Sequence, residues 1–149
     1  MALHTSEFIS LYQRVVFLVA KKTELPKTCA IITACNPRGE VVSTERNSKL
    51  NQQLRAAIEP FQYRTIVGCS LDLSHREPSF AVNCPQAKAL ELARQFKQNA
   101  IYWLENGELY LLPVLLAFEP RSLGSVRNFI KAEDTPQRVP SDNSHLHPS

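Results

Sequence analysis

The chain has 149 residues, 44% hydrophobic and 21% charged, with a formal net charge of +3; that size suits one domain with a real core, and that composition excludes disorder over most of the chain. Its 17 Lys and Arg are interspersed with 14 Asp and Glu, so the charge pattern lacks the basic stripe of a dedicated nucleic-acid binder. The longest apolar run, Leu109 to Phe118, is interrupted by Pro113 and falls well short of the ~20 residues a membrane-spanning helix needs.

Cys29, Cys35, Cys69 and Cys84 form no C-x-x-C pair, which argues for buried free thiols in a reducing compartment over a disulfide framework or a zinc site. Met1 to Lys22 carries Glu7 and has neither the basic start nor the unbroken apolar middle of an export signal. The expectation is a soluble, cytoplasmic protein.

In chain order, Phe8, Leu11, Tyr12, Val15, Leu18 and Val19 recur at helical spacing and predict a helix over 6–22, capped by Ser6 and ended by Glu24-Leu25-Pro26. The run Ala30 to Cys35 predicts a buried strand over 29–35, and Asn36-Pro37-Arg38-Gly39 a turn. Ser43 or Thr44 caps a second helix over 44–59, with Leu50, Leu54, Ala57 and Ile58 as its apolar face. A strand follows over 63–71, where Gly68 suggests a bulge or a close approach. Asp72 to Pro78 reads as a polar connection and 79–83 as a short strand. Pro85 opens a helix over 86–98 with Ala89, Leu92, Ala93 and Phe96 facing the core. Asn106-Gly107 joins strands over 100–104 and 108–116 as a hairpin, Pro113 suggesting an edge position or a bulge.

These elements divide the chain into a globular domain, 1–118, and a Pro-rich C-terminal extension, 119–149, with one short helical piece at Ser125 to Ala132 and disorder beyond about 134. The fold class is α+β. The order β-α-β-β-α-β is that of a ferredoxin-like core, with an added N-terminal helix and a C-terminal hairpin strand.

No complete catalytic, metal or cofactor signature can be assembled. Polar residues cluster in three places, each with a plain structural alternative. Asn36, Arg38 and Asn47 stand at a turn and a helix start, where free N–H groups and the helix dipole favour an anion, or where they simply satisfy turn and cap hydrogen bonds. His75, Arg76, Glu77 and Ser79 supply acid–base and anion-binding groups, or form a polar surface loop. Gln98 and Asn99 end a helix before an apolar strand, where Asn99 alone would suffice as a cap. The leading expectation is a binding or regulatory module whose ligand, a small anion or nucleotide-like molecule, is held by Asn36, Arg38, Asn47, Arg76, Glu77, Ser79 and Gln98 in one concave region. The alternatives are a metal-independent hydrolase or nuclease using His75 and Glu77 with Arg76 as anion clamp, and a weak nucleic-acid binder using Arg38, Arg46, Lys49 and Arg55.

Three segments together, Ile31-Ile-Thr-Ala-Cys-Asn-Pro37 with Asn47 following, Glu77-Pro-Ser-Phe-Ala-Val82, and Ala93-Arg-Gln-Phe-Lys-Gln-Asn-Ala-Ile101, resemble the hallmarks of a family of small bacterial proteins known as a domain of unknown function. The resemblance spans roughly residues 8 to 112 and departs from the family pattern at His75-Arg76, where a Trp-containing approach to the Glu is usual. It implies a bacterial, cytoplasmic protein with no established activity.

Overall fold

The computed structural model describes residues 4–21 and 24–133. It contains helices α1 (Thr5–Gln13), α2 (Thr44–Ile58) and α3 (Gln86–Gln95), and strands β1 (Val15–Ala20), β2 (Thr28–Ile32), β3 (Gln62–Ser70), β4 (Arg76–Asn83), β5 (Ala100–Glu105), β6 (Glu108–Pro113), β7 (Arg121–Ser125) and β8 (Ile130–Glu133). The eight strands form one sheet in the order β7-β6-β5-β2-β4-β3-β1-β8. β1 and β8 run parallel, and the other neighbours pair antiparallel. The chain is thus an α+β protein.

Strand alternation sorts the apolar residues into two layers. Ala30, Ile32, Phe80, Val82, Ile101 and Trp103 face α2 and α3, where they meet Leu54, Ile58, Leu92 and Phe96. Cys29, Ile31, Ala81, Tyr102 and Leu104 face the other way, with Phe17 and Val19. On that second side the Phe17 and Tyr102 rings meet edge to face at 5.0 Å, although β2, β4 and β3 lie between their strands. Four strand spacings in a flat sheet would span roughly 19 Å. The sheet therefore curls, with the two long helices on its convex side.

Six expectations change. The predicted first helix ends at Gln13, and Val15–Ala20 is a strand: it pairs with β3 on one edge and β8 on the other, and Phe17, Leu18 and Val19 are all buried, so ladder pairing and burial on both faces outweigh the helical spacing. Its N-cap is His4, with Glu7 Oε1 accepting from the His4 N–H at 2.8 Å, so Ser6 lies inside the helix. Arg76, Glu77 and Pro78 belong to β4, not to a loop, because the β3–β4 ladder continues through Gly68 and Glu77 to Cys69 and Arg76. That regular ladder also means Gly68 makes no bulge. Pro113 closes β6, an inner strand covered by β7, and the register shift falls at Leu109/Tyr110. Residues 121–133, read as extension with a helical piece, instead supply β7 and β8, the two end strands of the sheet order, joined by one 3-10 turn at Val126–Asn128. The disorder expected beyond about 134 lies outside the described residues.

Candidate functional site

The helix start after β2 is built as its residues predict. The Ser43 side chain accepts from the Arg46 N–H at 3.1 Å, and Asn36 takes the left-handed backbone (φ 49°) that Asn tolerates better than most residues. Asn47, in the first turns of α2, leans back toward that turn as helical side chains do. Its Oδ1 accepts from the Asn36 N–H at 2.8 Å, and its Nδ2 donates to Asn36 Oδ1 at 2.9 Å. The Val42 N–H donates to the same Oδ1 at 3.1 Å. With its oxygen so held, Asn36 presents Nδ2 to Glu77 Oε2 at 3.1 Å.

Glu77 and Ser79 point to the concave side of β4, as alternation from Phe80 and Ala81 requires. They line a cavity of about 340 Å³ at one end of that side, walled by Thr33, Cys35 and Asn36 after β2, Gly68 and Ser70 of β3, Gln98, and Tyr102 of β5, and covered by Phe8, Leu11 and Tyr12 of α1. Segments far apart in sequence, at 33–36, 77–79 and 98–102, meet there.

Of the expected site residues, Asn36, Glu77, Ser79 and Gln98 line this cavity and Arg38, Asn47 and Arg76 do not. Asn47 stands behind Asn36. Arg38 is exposed on the turn, its N–H donating to Lys97 O at 2.7 Å. Arg76 is one residue from Glu77 on a strand and so faces the convex side, where its Nε donates to Leu73 O at 3.2 Å. His75 stands at the mouth, its Nε2 3.4 Å from Glu77 Oε2. Asn99 acts through its backbone: its carbonyl accepts from the N–H groups of Val114, Leu115 and Leu116. Arg46 and Lys49 line a shallow surface hollow with Ser43 and Glu45, and Arg55 Nε donates to Tyr63 OH at 3.2 Å.

Several wall residues were not in the expected set. Thr33 Oγ1 donates to Pro78 O at 2.8 Å and accepts from the Cys35 N–H at 3.1 Å. Tyr102 OH donates to Tyr12 O at 2.7 Å, fastening α1 over the cavity. Asn51 is buried behind the wall, accepting from the Ala34 N–H at 2.8 Å and donating Nδ2 to Pro78 O at 2.9 Å. Its signal was present: Asn51, Leu54 and Ile58 share one buried helix face, so a polar residue interrupts an apolar stripe. Burial, and then the Glu77 charge, push the Tyr12 hydroxyl well above its ordinary range. Burial raises the Cys35 thiol to about 11, so it stays protonated at neutral pH and is no ready nucleophile.

The fold and the site define an α+β protein with a curled eight-stranded sheet and a ligand-sized cavity at the end of its concave side. Residues 32–101, a little under half of the chain, match the family model described as "Protein of unknown function (DUF3293)". The matched stretch contains Asn36, Asn47, Glu77, Ser79 and Gln98; α1 and Tyr102 fall outside it. Neither the curated proteins nor the solved structures hold a match to this chain. Among the described residues, no helix is long and apolar enough to cross a membrane.

Proposed function

We propose that the protein is a small-molecule binding module, bacterial and cytoplasmic, whose ligand occupies the concave end of the sheet beneath α1. The observation that carries this reading is the meeting of Asn36, Glu77, Ser79 and Gln98 in one cavity of about 340 Å³, a size within the range of ligand sites. Apolar walls from Phe8, Phe17, Ile31 and Ala100 suit a ligand with a flat apolar body, such as the base of a nucleotide-like molecule. Arg38 and Arg76, the cations on which an anion would depend, lie outside. The antiparallel order β5-β2-β4-β3, with α2 and α3 as its crossovers, supports a ferredoxin-like core. Four buried free thiols support a reducing compartment. The test is a fragment screen followed by amide NMR. Binders are expected to shift resonances of Glu77, Ser79, Gln98 and Tyr102; binders that leave these unmoved overturn the reading.

A second reading, a metal-independent hydrolase with His75 as base oriented by Glu77, is favoured by their 3.4 Å contact at the cavity mouth. It lacks its expected clamp, since Arg76 faces the other side of the strand. Turnover of a generic ester or phosphodiester that persists in the His75→Ala, Glu77→Ala double variant would remove it.

A further inference from the structure

We infer that the ligand is recognised through a hydrogen-bond-donating, cationic nitrogen, an amine or amidine, received by the Oε1 oxygen of Glu77. This rests on the cavity being a binding site and names the chemistry it selects.

The two oxygens of Glu77 are not equivalent. Oε2 accepts from Asn36 Nδ2 at 3.1 Å and faces His75 Nε2 at 3.4 Å, whereas Oε1 receives no hydrogen bond among the described residues. Asn36 has no freedom to release its bond, because its own oxygen is held by Asn47 and Val42. Glu77 is therefore fixed in direction, with its second oxygen unspent on the cavity wall.

Most hydroxyls around it are already committed as donors. Ser79 Oγ donates to the Glu77 carbonyl at 3.0 Å, Thr33 Oγ1 to Pro78 O, Tyr102 OH to Tyr12 O, and Ser70 Oγ to Asp72 Oδ1. Gln98 Nε2 is divided between Cys35 O and Phe96 O, both at 3.2 Å. What these groups offer a ligand is lone pairs. The Tyr12 hydroxyl and the weaker Cys35 thiol remain as donors; His75 on the wall is largely exposed, and Arg14, the one arginine there, makes no ion pair with Glu77 among the described residues. Besides burial, the Glu77 charge contributes to the raised pKa of Tyr12 and Cys35 and, after the neighbouring Tyr12, of Tyr102, so its influence extends across the cavity. An acceptor-rich, mostly apolar cavity with one directed carboxylate selects a ligand that brings the donors and the positive charge itself.

The full-length chain is titrated with benzylamine, benzamidine, benzyl alcohol and benzoate, followed by amide NMR, in the wild type, in Glu77→Gln and in the remote control Glu91→Gln. The two cations are expected to shift cavity resonances and to bind more tightly than the alcohol and benzoate. Glu77→Gln should weaken the cations by about tenfold or more, the scale of a hydrogen bond to a charged group, while Glu91→Gln changes nothing. If benzoate or the alcohol binds in the cavity as tightly as the cations, or if Glu77→Gln leaves the cations unaffected, the inference falls and the cavity reading stands. If none of the four probes moves cavity resonances, both fall. Should Glu77→Gln fail to fold, the wild-type ranking of cation over isosteric alcohol decides.

Discussion

Asn36 Nδ2 reaches Glu77 Oε2 at 3.1 Å across 41 positions of sequence, and this bond ties the turn that opens α2 to the middle of the sheet. Asn36 is caught between two demands, a left-handed backbone and a side chain whose oxygen serves Asn47 and Val42. Asn36→Ala should therefore lose about 2–4 kcal/mol of unfolding free energy, from a left-handed penalty of ~1 kcal/mol and three lost side-chain hydrogen bonds that water replaces in part. Glu77→Gln keeps an acceptor and should cost less than about 1 kcal/mol. Urea denaturation of the two variants compares them, and a larger loss in Glu77→Gln would contradict this ranking.

Asn51 joins the end of β2 to β4 from inside α2. Replacing it with Ala strands the buried Ala34 N–H, so the loss should be roughly 1–3 kcal/mol. Thr33 still serves Pro78 O. A change within ±0.5 kcal/mol, the usual surface range, would mean that the bonds are not formed in solution.

Gly39 has φ +76°, and a Cβ there would stand 2.8 Å from Phe8 Cε1 and 3.2 Å from Asn99 Nδ2. Gly39→Ala is expected to cost about 1–2 kcal/mol from backbone geometry alone, and to loosen α1 from the cavity. Hydrogen exchange over Thr5–Gln13 should then quicken. In a Phe8→Ala background the steric part of the cost should vanish, leaving the backbone part. Equal costs in both backgrounds would show that Phe8 does not pack on this turn.

Burial pushes Cys29 from its ordinary value near 9 to about 12, and Cys35 to about 11. The folded pKa exceeds the unfolded one, so the native state holds protons that the unfolded state has released. Stability from these thiols is complete below pH 9 and declines from there up to the folded values. Denaturation midpoints should fall between pH 9 and 11, and Cys29→Ala should flatten that slope. All four thiols are buried, so a thiol reagent at neutral pH should label the native chain slowly and only as it opens. Rapid labelling without denaturant would overturn this.

The amino-acid sequence by itself determined the local devices. Ser43 caps α2, Asn106 and Gly107 both take positive φ in the β5–β6 turn, and Leu92, Ala93 and Phe96 bury the face of α3; each depends on residues a few positions apart, where composition and period suffice. The candidate polar residues were also legible, because Asn36, Glu77, Ser79 and Gln98 are polar groups set against apolar runs. Only the tertiary structure decided which side each one faces. Whether residues 76–78 are strand or loop turns on the β3 ladder, and once they are strand, alternation sends Glu77 into the cavity and Arg76 away from it. Val15–Ala20 likewise matched a helix period, and its two neighbours in the sheet made it a strand. The curl that brings Phe17 to within 5.0 Å of Tyr102, and with it the cavity beneath α1, depends on long-range strand pairing that local periodicity does not encode.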